Sequence, residues 1–244
     1  MKNYTEETYG ERIASVYDQW YSEVDPALVQ TLFELAHGGN ALELAIGTGR
    51  IALPLLATGL SVKGVDASES MVSKLRQKPG GDAISVAMGN FADVPVEGQF
   101  SLIYIVFNTF FALLSQDEQV RCFQNVANHL LPTGVFVIEV FFPDLGRYDR
   151  GQTVRLDRIG ENETQLDVSE FDPVDQVITS QHVHLTEGGI HFYPVKLRFA
   201  WPAEMDLMAR MAGMRLKYRW GDWRRGAFTA QSGKHISVYE HFSA

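Results

Sequence analysis

The octet Glu43-Leu44-Ala45-Ile46-Gly47-Thr48-Gly49-Arg50 constrains this chain more than any other stretch. An apolar run from Asn40 to Ala45 leads into it and a helix-like run from Arg50 to Thr58 leads out, so both glycines sit at a strand-to-helix turn. Glycine lets the backbone approach a ligand closely there, and the free N–H groups at the helix start present positive partial charge to an anionic group. The next apolar run, Ser61 to Val65, closes on Asp66, 19 positions after Gly47. A carboxylate at that place accepts both hydroxyls of a ribose, as a nucleoside-containing cofactor on a first crossover unit requires. Read literally, Gly47-x-Gly49-x-x-Ala52 also fits the looser dinucleotide fingerprint. Two features count against a pyrophosphate: the first strand begins only near Asn40, and Glu43 puts a carboxylate just before the turn.

Strand and helix then alternate. Ser68 to Lys78 has helical pattern, Ala83 to Met88 and Phe100 to Phe107 read as strands, Glu118 to Leu131 as a helix and Val135 to Phe141 as a strand after the turn Pro132-Thr133-Gly134. Near-continuous apolar strands separated by helices indicate a parallel sheet covered on both faces. Upstream, Glu6 to Tyr21 reads as one amphipathic helix or a pair of short ones, and Pro26 opens a helix that Gly38-Gly39 ends. After Pro143 the character changes: Glu161 to Asp175 holds six acidic residues and no Lys or Arg. Period-two stretches at Val177 to Leu185 and Ile190 to Phe199, joined by Glu187-Gly188-Gly189, predict an antiparallel hairpin laid over or beside the sheet. Pro202 to about Ala212 is helical in pattern, and Arg215 to Trp220 and His235 to His241 read as two closing strands.

Charge narrows the partners. Lys plus Arg total 21 against 30 Asp plus Glu, a formal net charge of -9, so nucleic acid or an acidic membrane meets a repelling mean field. The arginine-dense stretch from Arg215 to Arg225 is too short to reverse that. One cysteine, Cys122, excludes an intrachain disulfide and reads as a buried apolar residue. Polar residues from Lys2 to Arg12 contain no apolar run of the kind a signal peptide or membrane span needs, which makes a cytoplasmic protein the expectation.

An acidic residue, three residues, Gly-x-Gly, then an acidic residue closing the next strand resembles the class I S-adenosylmethionine-dependent methyltransferases, in their small-molecule, secondary-metabolite branch. The resemblance covers Leu42 to Phe141 closely and the flanking segments more loosely. It implies an α/β three-layer Rossmann-like sandwich with a seven-stranded, mostly parallel sheet and an antiparallel insertion on the substrate side. The corresponding division is a helical lid at 1–39, a cofactor-binding core at 40–144, the insertion at 145–200, and a C-terminal helix and strands at 201–244. It also implies S-adenosylmethionine as cofactor and S-adenosylhomocysteine as product. On that resemblance the turn Gly47, Thr48, Gly49 and Arg50 lies under the methionine part, Glu43 orders its amino end, Asp66 takes the ribose hydroxyls, and Ala67 and Met71 pack on the adenine. Asn90 stands where the family often has aspartate, and its amide oxygen still accepts. Phe91 lies against the purine, Phe107 lines the methionyl pocket, and Tyr9, Tyr17 and Tyr21 resemble aromatic lid residues.

The sulfonium methyl is already activated, so the protein mainly aligns a nucleophile and excludes water. Phe107-Asn108-Thr109-Phe110 lacks the Asn-Pro-Pro-Tyr or Asp-Pro-Pro-Tyr motif of enzymes that methylate nucleic acid bases, so the expected reaction is methyl transfer to oxygen or nitrogen of a small metabolite. His182 and His184, on one face of an extended strand, are the candidate bases; Asn108, Phe111, Phe141, His191, Arg198 and Trp201 are the candidate acceptor-side residues. No metal is expected, since three imidazoles at this spacing form an unspecific set. The partner is a small-molecule methyl acceptor, with neither nucleic acid nor membrane, and the chain is expected as monomer or homodimer. An NAD(P)-dependent oxidoreductase and a non-catalytic cofactor-binding protein are the competing readings.

Overall fold

A computed structural model describes residues 4–242. In chain order the elements are α1 (Thr8–Ile13), α2 (Tyr17–Trp20), α3 (Pro26–Leu35), β1 (Ala41–Leu44), α4 (Ala52–Ala57), β2 (Val62–Asp66), α5 (Glu69–Arg76), β3 (Ser85–Met88), β4 (Phe100–Ile105), α6 (Gln116–His129) and β5 (Leu130–Phe141). They continue as β6 (Gln152–Ile159), β7 (Glu163–Asp172), β8 (Val177–Thr186), β9 (Gly189–Arg198), α7 (Pro202–Met211), β10 (Met214–Trp220) and β11 (Lys234–His241). Caps sit where the local sequence supplies them. Asp25 accepts from the Ala27 N–H with Pro26 in the first helical position, and Ser115 and Glu118 close a reciprocal capping box on α6.

Seven strands form one sheet in the order β10-β11-β5-β4-β1-β2-β3. β1 to β5 run parallel, and β11 is antiparallel to both its neighbours. Alternation along the central strands divides two apolar cores. Ile103, Ile105, Phe136 and Ile138 face Phe123 of α6 and Met205 and Met208 of α7, whereas Leu102, Tyr104, Val135 and Val137 face α3 and α4 through Leu32 and Leu55. This is the class I sandwich that the motif order implies. The Pro132-Thr133-Gly134 turn bulges out of β5, whose register on β4 jumps from Phe100 with Leu130 to Leu102 with Val135.

The expected hairpin is one half of a four-stranded antiparallel sheet, β6-β7-β8-β9. Most of the acidic stretch from Glu161 to Asp175 forms β7, where Asp167 and Ser169 are buried while Glu161, Glu170, Asp172 and Asp175 are exposed. On this sheet Arg155, Asp167, His182 and Tyr193 form one cross-strand row facing the protein, while Val154, Leu156 and Val168 project outward and are exposed. The inner face packs on α1 and α2: Trp20 meets Tyr193 edge-on at 4.8 Å and His184 at 5.3 Å. No helix among the described residues is long and apolar enough to cross a membrane.

Candidate active site

β1 delivers its glycine turn to a cavity of about 540 Å³ that continues under the inner face of the second sheet. The two glycines serve different purposes. A Cβ on Gly49 would lie 2.4 Å from Leu75 Cδ1, so that glycine is needed for close helix packing. Gly47 lines the cavity, where an added Cβ would meet only Met71 Cε at 3.2 Å, and its φ of 57° is in the left-handed region. Its N–H donates to Asp66 Oδ2 at 2.6 Å, while Asp66 Oδ1 accepts from the Ser68 N–H at 2.8 Å. Burial raises the Asp66 carboxyl above its ordinary range, with those N–H groups opposing.

Glu43 is 4 % exposed and receives the Tyr104 hydroxyl at 3.0 Å. Loss of water pushes its carboxyl up to about 8, against the lowering effects of Tyr104 and Arg50 and with a further push from Asp66. A neutral acid at the head of the turn is a group waiting for a cation. Arg50 stacks over the Phe107 ring at 4.5 Å and donates to the Glu23 carbonyl at 3.2 Å, and its Nε is buried without a partner.

β4 ends in two consecutive left-handed residues, Phe107 at φ 60° and Asn108 at φ 67°. Glu139 holds that bend through the Phe107 N–H at 3.1 Å, and Asn108 Oδ1 accepts the Phe141 N–H at 2.7 Å. Asn108 thus braces the mouth of the cavity as well as lining it. Asn90 accepts the Ala92 N–H on its amide oxygen at 2.8 Å, which leaves its NH₂ and the oxygen's second lone pair for recognition.

The first helices close the cavity. Tyr9, Tyr17 and Tyr21 line it, the Tyr9 and Tyr21 hydroxyls share a hydrogen bond, and Arg50 donates to Tyr17. Burial raises all three phenols, so they stay protonated donors at neutral pH. The segment is tied down by Glu11, which accepts from Ser68 Oγ at 2.6 Å and the Ser70 N–H at 3.0 Å, and by Asp18, which pairs with Lys78 at 2.8 Å and accepts from Thr48 Oγ1 at 2.7 Å.

The structure brings Tyr9, Tyr17, Tyr21, Glu43, Gly47, Arg50, Asp66, Ala67, Met71, Asn90, Phe91, Phe107, Asn108, Phe141 and His182 to this one cavity. Thr48 and Gly49 support the turn from behind. Four acceptor-side candidates lie elsewhere. Phe111 is buried in the core against Phe110 and Phe141. Arg198 is buried on Gln119 and Glu204. Trp201 packs on Phe142 and Phe199, and His191 neighbours His184 on the adjoining strand. His184, paired with Glu163 at 2.8 Å and covered by Trp20, is likewise outside the cavity lining. Among the described residues no cluster of His, Cys, Asp or Glu has metal-binding geometry.

Polar lining residues that the sequence did not single out are Tyr4, Thr5, Glu6, Ser68, Thr109 and Glu118 and, from the second sheet and the turn before it, Arg147, Arg155, Asp167 and Ser180. For Asp167 the signal was present in the sequence, since Asp167 and Ser169 alternate with Val168 as a strand does, but with the polar side facing in.

A parallel sheet with a glycine turn and an acidic second strand end, roofed by an antiparallel sheet, defines a methyltransferase of class I architecture. Residues 41–134 match the methyltransferase domain family. The CcbJ methyltransferase from Streptomyces caelestis is 39 % identical, with 98 % of this chain and 100 % of that one covered and a TM-score of 0.91. The cypemycin N-terminal methyltransferase of a Streptomyces species is 27 % identical over 95 % of this chain and 97 % of its own length. The S-adenosylmethionine-bound CalS10 amino pentose methyltransferase from Micromonospora echinaspora shares the fold, at 18 % identity and a TM-score of 0.61 over 97 % of this chain and 92 % of that one. This chain belongs to the class I S-adenosylmethionine-dependent methyltransferase family, in its small-molecule branch.

Proposed function

We propose that this protein transfers a methyl group from S-adenosylmethionine to an amine nitrogen of a small-molecule acceptor. The observation that carries the reading is the continuity of the cavity, which runs from Gly47 and Asp66 to His182 and the inner face of β7 to β9. Cofactor and acceptor therefore share one continuous cavity. The residues present fit the cofactor. Gly47 leaves open the space a side chain would fill, Asp66 sits where ribose hydroxyls are accepted, Glu43 is a buried acid suited to an ammonium, and Arg50 Nε is a donor without a partner. A carboxyl beside the turn is also what a dinucleotide pyrophosphate disfavours.

When bound, the cofactor supplies a methyl carbon on a positively charged sulfur, which leaves with the bonding electrons as the nitrogen lone pair forms the new N–C bond. The chain's task is to align and desolvate the two partners. Phe107 and the three lid tyrosines exclude water and offer aromatic faces to the cationic centre. His182, whose Nδ1 lies 3.9 Å from Asp157, is the imidazole lining the cavity and takes the proton that the amine must lose. Nitrogen is favoured over oxygen by the relative named as an N-terminal methyltransferase, and a cavity of this size favours a small acceptor over a nucleic acid or a membrane.

The test is release of S-adenosylhomocysteine with a panel of small amines, each matched to the alcohol of the same skeleton. Turnover confined to amines supports the reading; turnover confined to alcohols contradicts it. His182→Asn should lower kcat and flatten the pH–rate profile with little change in cofactor affinity, and an unaltered profile removes His182 as the base.

A further inference from the structure

Asp167 is the one carboxylate that the second sheet turns into the cavity. Its side chain is 6 % exposed, yet its partners are few. Oδ1 accepts from Ser169 Oγ at 2.6 Å, and Ser169 Oγ lies 2.8 Å from Ser180 Oγ. Because the Ser169 proton points to Asp167, Ser180 must donate to Ser169, and the lone pairs of Ser180 remain free toward the cavity it lines. Among the described residues Oδ2 has only Arg147 Nη2, at 4.0 Å and beyond hydrogen-bond reach. That guanidinium nitrogen donates instead to the Tyr148 hydroxyl at 2.7 Å. The cation in the cross-strand row, Arg155, stands directly across the strand pair from Asp167 but bonds to Asp157 at 2.7 Å.

Removing a carboxylate from water is expensive unless a cation and hydrogen bonds replace the lost hydration. Here the compensation is incomplete at Oδ2, and Asp167 and Ser180 both line the cavity, where Ser180 offers a second acceptor. Ile178, Val195 and Leu197 supply apolar wall beside these polar groups. His182 is the register partner of Asp167 on the next strand, which puts a proton acceptor beside the carboxylate.

We propose that Asp167, fixed by the Ser169–Ser180 relay, is the residue that recognises the acceptor as an ammonium ion and positions its nitrogen, so that the acceptor class is an aliphatic cationic amine. This deepens the amine reading above and rests on it. The ammonium donates to Asp167 Oδ2 and Ser180 Oγ, its carbon skeleton lies on the apolar wall, and one proton passes to His182. The neutral nitrogen then uses its lone pair to bond the methyl carbon while the carbon–sulfur bond breaks toward sulfur. The methylated product is again an ammonium.

The experiment uses the whole protein with saturating S-adenosylhomocysteine and three probes of one shape: cyclohexylammonium, cyclohexanol and cyclohexanecarboxylate. Thermal denaturation is followed for the wild type and for Asp167→Asn, with cofactor affinity of both measured by calorimetry. Cyclohexylammonium should raise the wild-type Tm by about 2–4 °C, and the two other probes should not. Asp167→Asn should lose that response, keep its cofactor affinity, and show an unchanged or higher Tm without probe, since its buried charge is gone. A fall in Tm on substitution marks Asp167 as a structural ion-pair residue and overturns the proposal. So does equal stabilisation of both proteins by the ammonium, no response of the wild type to it, or a response to the carboxylate, which would assign the subsite to Arg147. Failure of cofactor binding in the wild type is a separate result and overturns the methyltransferase chemistry instead.

Discussion

Glu43 is an acid shut away from water, and its proton answers to whatever cation shares the cavity. Burial pushes its carboxyl up to about 8, which keeps it neutral at pH 7. A bound cation favours the anion, so binding releases a proton, and cofactor affinity should rise with pH up to about 8 and level off above it. Calorimetry with S-adenosylmethionine between about pH 6 and pH 9 checks this, using Glu43→Gln to subtract the cofactor's own titration. The variant should lack the extra slope; equal slopes would remove Glu43 from the cation's surroundings. The two turn glycines should separate in the same way. Gly49→Ala forces a Cβ to within 2.4 Å of Leu75 Cδ1 at a φ of 74° and should cost about 1–3 kcal/mol of stability whatever is bound. Gly47→Val puts its extra carbons into the cavity and should weaken cofactor binding about tenfold or more, beyond its effect on denaturation.

The N-terminal helices are held by polar contacts at their ends more than by a large core, which makes them the element most easily released. Glu11 bonds to Ser68 and Ser70 at the start of α5, and Gly10 fits so closely that a Cβ would lie 2.6 Å from Ser68 Cβ. Glu11→Ala should leave Tm almost unchanged while amide exchange across residues 8–20 and cofactor dissociation both speed up several-fold. Unaltered exchange would mean that Asp18 and the aromatic contacts of Trp20 hold the segment without Glu11. The same element level explains what could be read from sequence. The motif Glu43 to Arg50 and Asp66 located the glycine-turn end of the cavity because turns and strand ends are local in sequence. The acceptor half depends on which face of a strand turns inward. In β6 and β7 the usual rule is inverted, with Val154, Leu156 and Val168 exposed and Asp167 and Ser169 buried, so an alternating strand read as an acidic tract. His184 shares its face with His182 as expected, but only the packed position of Trp20 decides that one is covered and the other open. Arg198, an acceptor-side candidate by sequence, is turned into the core by Glu204 and Gln119.

On the scale of the whole molecule, one buried imidazole links the fold to pH. His235 on β11 is fully buried, with Nδ1 against Ser237 Oγ at 2.9 Å and Nε2 without a partner. Burial, reinforced by Arg219, lowers its pKa to about 3. A base with a depressed folded pKa is neutral in the native state and charged in the unfolded one between pH 6.5 and about 3. Stability from this residue is therefore complete above that window and lost as pH falls through it, with a slope approaching about 1.4 kcal/mol per pH unit. Denaturant titrations from neutral to acid pH should show that slope, and His235→Asn should flatten it; identical slopes would assign acid unfolding to other groups.

The central claim is that the cavity beneath the lid holds S-adenosylmethionine. Isothermal titration of the purified protein, first cleared of copurified cofactor, with S-adenosylmethionine, S-adenosylhomocysteine and NADH tests it most directly. Saturable one-to-one binding of the first two, silence with NADH, and affinity lowered about tenfold or more by Asp66→Ala are the results expected from the geometry. Binding of NADH alone, or S-adenosylmethionine binding indifferent to Asp66, would contradict it.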